Sequence, residues 1–242
     1  MQFRITKRTI TIIFLTSLFI AGCLVLYAFA RTWNKTDIDV RIHINEKLVR
    51  ESTFGESPTF AIWLEDPETG MTQTVFVTSR AGLNDWEGKA DVPVALPRWF
   101  EVDKIEKQHE KKLRNEIPEQ LTITGATPKP GYFNTRVRVA PGSKWICWIE
   151  VNLAGDFNDK YLEYDVVNKT SDEFKTGQPA LLYRAEIEAS VGNKANPVIQ
   201  GMCMLDSLNE VHVQLPEGIT TASDIFDEIS LKVTKPKPRI ID

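Results

Sequence analysis

Histidine and cysteine are scarce, with three of each among 242 residues. No histidine has a second His or a Cys at ligand spacing, so no zinc site is expected. The glycine-rich phosphate loop and the Gly-x-Ser-x-Gly elbow are both missing. The chain has no internal repeat and no linker long enough to separate a pair of domains. Positive charge is also short outside the first residues. Of the 29 Lys and Arg, five (Arg4, Lys7, Arg8, Arg31 and Lys35) precede Thr36, in a stretch with no acid. That leaves 24 basic residues against 33 acidic ones, a net of −9. Such a domain lacks the basic patches that grip phosphates, so no nucleic-acid partner is expected.

What is present first is a long apolar run. Residues Thr9 to Ala30 carry no charge and follow Arg4, Lys7 and Arg8. As a helix, 22 residues reach about 33 Å, enough for a hydrocarbon core of about 30 Å. The basic flank places residues 1–8 inside and the bulk of the chain outside a cell membrane, in the periplasm or beyond. Three readings of residues 9–30 stand. Run length favours an uncleaved single-pass anchor. "IAGC" at Ile20–Cys23 resembles a lipobox, with Cys23 as the acylated residue. Ala28-Phe29-Ala30 has the small-residue spacing of a cleaved signal. All three export the rest of the chain. In an oxidising compartment Cys147 and Cys203 can pair, although "KWICWIEV" also reads as plain core around Cys147.

After a short linker (31–36), residues 37–234 read as one all-β sandwich. "DIDVRIHINE" alternates, with Ile38, Val40, Ile42 and Ile44 on one face. "TFAIWLED" and "QTVFVTS" flank "PETG", a hairpin turn. "NTRVRVA" and "KWICWIEVN" flank the turn "PGS". "ALLYRAEIEAS", "PVIQGMCML", "EVHVQL" and "ISLKVT" bring the count to about nine strands. A helical insertion over about 98–117 interrupts them. Val102, Ile105, His109 and Leu113 form its narrow apolar stripe, and Pro118 ends it, as in a solvated surface helix. A short helical turn capped by Thr221 or Ser223 is expected in "GITTASDIFDE". The tail 235–242 is proline-rich and expected to be loose.

Two features carry chemistry. In "EVNLAGDFNDKY", Glu150, Asn152, Asp156, Asn158 and Asp159 concentrate the hard oxygens that calcium takes, without the EF-hand spacing. The plainer reading is a strand ending in an Asx-rich turn. In "LTITGATPKPG", Thr127 follows Gly125-Ala126 and precedes Pro128. Pro128 biases Thr127 to an extended backbone, and Gly125 can take φ > 0. The small neighbours leave the hydroxyl reachable, with Lys129 close by. The plainer reading is a loop entering the next strand, with Pro130-Gly131 as its turn.

"FAIWLED", "LPRWF", "TGATPKPG", "EVNLAGDFND", "GQPALLYRAEI" and "ITTA" follow one another in that order from Phe60 onward. Together they resemble a bacterial family of exported proteins of unknown function with an immunoglobulin-like β fold. The resemblance spans about residues 60–233. It implies neighbours in membrane electron transfer and a flavin transferase that esterifies flavin mononucleotide onto Thr or Ser. The transferase motif resembles Asp-x-x-Thr-Gly-Ala-Thr. Thr124, Gly125, Ala126 and Thr127 match its last four positions, and Leu121 stands where it has Asp.

The resulting expectation is an immunoglobulin-like sandwich on a single transmembrane helix, not an enzyme. It would bind or support an unidentified protein partner and need no cofactor. One alternative is an electron-transfer accessory protein with flavin mononucleotide on Thr127. The other is a calcium-stabilised adhesion-like domain.

Overall fold

A computed structural model describes residues 7–83, 92–113, 124–205 and 210–237. Arg4, the expected helix end at 118–120, Leu121 and the last five residues of the tail lie outside them.

The apolar run is helical throughout. Helix α1 covers Lys7–Thr32, and its window Ile12–Ala30 is long and apolar enough to cross a membrane. Asn34, at φ 52°, then turns the chain, a left-handed conformation that Asn tolerates better than most residues and that often ends a helix. Strand β1 (Thr36–Ile44) begins two residues later. Helix α2 (Glu46–Glu51) is capped by Asn45, whose Oδ1 accepts from Leu48 N at 3.1 Å. Strands β2 (Thr59–Glu65) and β3 (Thr72–Thr78) form the expected hairpin. Asp66 closes it by accepting from Glu68 N and Thr69 N at 2.8 and 3.2 Å. These bonds, Glu68's foremost, hold the Asp66 carboxyl below its ordinary range.

Helices α3 (Ser79–Leu83), α4 (Val92–Ala95) and α5 (Pro97–Leu113) come next. They precede β4 (Thr124–Gly125), β5 (Gly131–Val139), β6 (Lys144–Asn152), β7 (Tyr164–Asp165) and β8 (Thr170–Ser171). Strands β9 (Ala180–Glu188), β10 (Lys194–Ala195), β11 (Val198–Leu205) and β12 (Val211–Gln214) lead through a 3-10 turn at Thr221–Asp224 to β13 (Phe226–Thr234).

The larger strands form two sheets. One has the order β10-β13-β1-β5, the other β12-β11-β9-β6-β2-β3-β4. All their pairings are antiparallel except β3 with β4. The sheets face each other across a core of Ile38, Val40, Ile42, Phe60, Ile62, Ile149, Val151, Leu181 and Val233, among others. The alternation in β1 therefore puts its four isoleucine and valine residues inward, as expected. The "PGS" turn is not a hairpin, because β5 and β6 belong to different sheets. It carries the chain from one sheet to the other.

A second core lies on the outer face of the seven-stranded sheet. Ala61, Trp63, Val77, Ala180, Leu182 and Cys203 pack there against Leu96, Trp99 and Val102. This corrects the expectation of a merely solvated helix. The first turns of α5 are buried, with Trp99 1% exposed, while Ile105 of the expected stripe is 48% exposed. The side chains of His109 and Leu113 lie outside the described set. Two faces of β2 are thus covered, which is why "FAIWL" is continuously apolar rather than alternating.

Register gives the sandwich two poles. Thr36 pairs with Val139, and Asp37 with Thr234, beside the end of α1. Lys144 pairs with Glu188 just past the 140–143 turn, so that end of the second sheet lies at the same pole. Ile44, Ala180 and Cys203 lie at the far ends of their ladders, about 30 Å away for nine residues of strand.

Candidate functional site

The far pole holds a cleft of about 540 Å³, a size common for ligand sites. Tyr161, Phe174, Pro179, Met204 and Lys160 line it, with Cys203 of the sheet at its base. Lys160 Nζ is paired with Glu217 at 2.8 Å. The Tyr161 hydroxyl donates to Glu217 O at 3.0 Å. The wall is built by the 153–179 segment, in which Gln178 is a central tie. Gln178 is 1% exposed. Its Nε2 donates to Asp156 Oδ2 and Thr221 Oγ1, both at 2.8 Å. Its Oε1 accepts from Thr220 N at 2.7 Å. The segment is thereby tied to the 3-10 turn. That turn starts at Thr221, so neither Thr221 nor Ser223 caps it. Thr221 Oγ1 donates instead to Asp156 Oδ1, and Ser223 Oγ to Thr220 O.

Beneath the cleft, on the outer face of the sheet, sits Glu150, fully buried. Helix α5 begins after Leu96, which has no side-chain acceptor, and places Pro97 at its first position. The orphan N–H groups of its first turn are met from β6 instead. Trp99 N donates to Glu150 Oε2 at 2.6 Å, and Arg98 N to Oε1 at 3.1 Å. Burial pushes the Glu150 carboxyl up to about 7, against the pull of these two donors and the Cys203 thiol. Burial also raises the Cys203 thiol far above its ordinary range, and the Glu150 charge raises it further. Cys147 is pushed up to about 12 by burial alone. A protonated thiol is a poor nucleophile. The cleft accordingly offers shape, apolar contact and hydrogen bonds, and burial keeps the Cys203 thiol from acting as a nucleophile.

The five residues expected to supply calcium oxygens do not make one cage. Glu150 faces α5. Asn152 Nδ2 donates to Gln178 O at 2.9 Å. Asp156 is held by Gln178 and Thr221. Asn158 Oδ1 accepts from Lys160 N and Tyr161 N, and its Nδ2 donates to Gly218 O. The neighbouring Asp159 is exposed. No group of three or more His, Cys, Asp or Glu fit for a metal occurs among the described residues. The Asx-rich turn is what the structure shows here.

The Cys147–Cys203 pairing is corrected as well. Both thiols are free. Cys147 points into the core between the sheets and Cys203 into the core under α5. Cys147 pairs with Ala185 on β9 and Cys203 with Ala180, so two strand spacings and five residues of β9 separate them. That is far beyond the roughly 7 Å limit for a bridge. Cys23 is exposed on α1. The histidines do not gather. His43 lies on β1 beside Asp227 and Tyr132, while His212 lies on β12.

Thr127 falls in the loop between β4 and β5, half-buried, with no hydrogen-bond partner for its hydroxyl among the described residues. Gly125 does not use φ > 0. A Cβ there would lie 2.5 Å from Phe76 Cε2. The glycine is needed for the close approach of β4 to β3, so some of "TGAT" has a packing reason. Trp99 and Gln178 had no place among the sequence candidates. The continuous apolar run of β2 was the available signal for Trp99, since a strand apolar on both faces needs two covers. No such signal marks Gln178.

No family model, curated protein or solved structure matches the chain.

Proposed function

We propose that the chain is a membrane-anchored, extracytoplasmic, immunoglobulin-like module that binds or supports a protein partner without catalysing a reaction. The observation that carries this reading is the molecule's polarity. The helix fit to span a bilayer meets β1 at one pole, and the cleft opens at the other. An anchored protein so arranged presents its concave surface away from the bilayer. Its groups are engaged in holding the wall together rather than poised for acid–base work. A photo-reactive residue in place of Phe174 tests the reading in native membranes. Cross-linking to a defined partner from position 174, and not from Tyr132 on the opposite sheet, supports it. Substrate turnover by the purified protein overturns it.

A second reading rests on Thr127. Its partner-free hydroxyl at the far pole supports an acceptor for flavin mononucleotide. A mass increase matching the flavin in native protein, lost in Thr127→Ala, supports this reading. An intact mass equal to the bare polypeptide, from a host that has the transferase, removes it. The same measurement reports cleavage after Ala30 and acylation of Cys23.

A further inference from the structure

The domain is acidic as a whole, yet the corner that meets the anchor is basic. Helix α1 ends at Thr32 and β1 starts at Thr36. The connection reaches about 14 Å at full stretch, and the left-handed turn at Asn34 shortens it. The corner therefore stays at the bilayer surface wherever α1 spans the membrane.

Register identifies which side chains share that corner. Asp37 pairs with Thr234, and Lys194 with Lys232. Gly192 N donates to Val233 O at 3.0 Å. Lys35, Lys194, Lys232, Lys235 and Lys237 thus gather around the first residues of β1. All five are exposed, and none is in an ion pair among the described residues. Of the acids at this pole, Glu188 accepts from Ser190 Oγ at 2.7 Å, and the two on β1 face arginines. Asp37 is buried against Arg138 Nε at 3.0 Å. Asp39 accepts from Thr234 Oγ1 at 2.7 Å and lies 3.9 Å from Arg136. Beside them, Trp33 is 79% exposed and Val191 63% exposed. A tryptophan at the end of a spanning helix suits the headgroup layer. Free lysines at that depth are drawn to anionic lipid, and salt weakens the attraction.

We propose that this lysine corner rests on anionic lipid headgroups and holds the domain upright, with the cleft facing away from the bilayer. The proposal depends on the anchored reading above.

The test is hydrogen exchange on the full chain in nanodiscs of phosphatidylcholine alone or mixed with phosphatidylglycerol. Exchange in the segments 33–35, 189–194 and 235–237 is expected to slow several-fold in the anionic discs. Salt at about 1 M, where the screening length is about 3 Å, removes the difference. Segment 156–178 at the far pole is unchanged. Joint reversal of Lys194, Lys232, Lys235 and Lys237 to Glu abolishes the lipid dependence. Should that variant fail to fold, Lys235→Gln with Lys237→Gln, both beyond β13, halves the effect or more. Equal exchange in the two lipids overturns the proposal, as does slowing that survives the lysine changes. A mature chain found to begin after Ala30 overturns the anchored reading and this proposal together. A full-length chain without lipid-dependent slowing overturns this proposal alone.

Discussion

Glu150 shows how far a side chain's role depends on where it is held. In sequence it belongs to an acidic, oxygen-rich stretch. In the fold it is the N-terminal cap of a helix that comes well before it in the chain, bonded to Arg98 N and Trp99 N. Its carboxyl is raised by burial to about 7, against an ordinary value near 4.5. Between those two values the folded chain holds a proton that the unfolded chain releases. Stability from this group is therefore fully present below about pH 4.5 and is lost as pH rises through 7, by about 1.4 kcal/mol per unit at most. Urea unfolding of the wild type across that window should show the decline, and Glu150→Gln should flatten it. Gly125→Ala makes a separate point. The added Cβ meets the ring of Phe76, itself 5% exposed, and the crowding should cost about 1–3 kcal/mol. A chemical melt showing no loss would mean that β4 does not pack on β3 as described.

At the level of elements, α5 is held by its first two turns. Trp99 fills the second core and donates from Nε1 to Thr74 Oγ1 at 3.3 Å. Trp99→Ala should destabilise by about 3–5 kcal/mol, with amides of α5 exchanging faster than those of β1. The 153–179 segment depends on Gln178 in a similar way. Gly177 adds a backbone constraint, with φ 70° and only 2.6 Å between an added Cβ and Asp156 O. Gln178→Leu leaves Asp156 Oδ2 and Thr220 N without their partner. It should speed exchange in 153–179 while leaving the four-stranded sheet unchanged. Strand β1 was legible from alternation, since its isoleucine and valine residues share the buried face. The helix was legible in its existence but not in its burial. Its charged later residues dominate the pattern, and its anchoring residues Leu96 and Trp99 lie ahead of the stripe.

For the whole molecule, the absence of a covalent bridge between Cys147 and Cys203 has a plain consequence. Reductant should leave the melting temperature unchanged. Neither buried thiol should react with a maleimide until the chain unfolds, whereas rapid native labelling of Cys203 would show that its packing under α5 opens in the folded chain. The sequence alone determined the apolar helix, the acidic domain behind it and the strand-rich composition, because these depend on local runs and on periods of two. Only the tertiary structure decided the rest. It put Cys147 and Cys203 on opposite faces of one sheet, because successive side chains of a strand point to opposite sides. It assigned Glu150 to a helix and Asp156 to Gln178, because each buried polar group takes the partner that packing brings near. And it set the lysine corner at the end of α1 and the cleft at the other pole, because strand register, not sequence distance, determines which ends of a sandwich lie together.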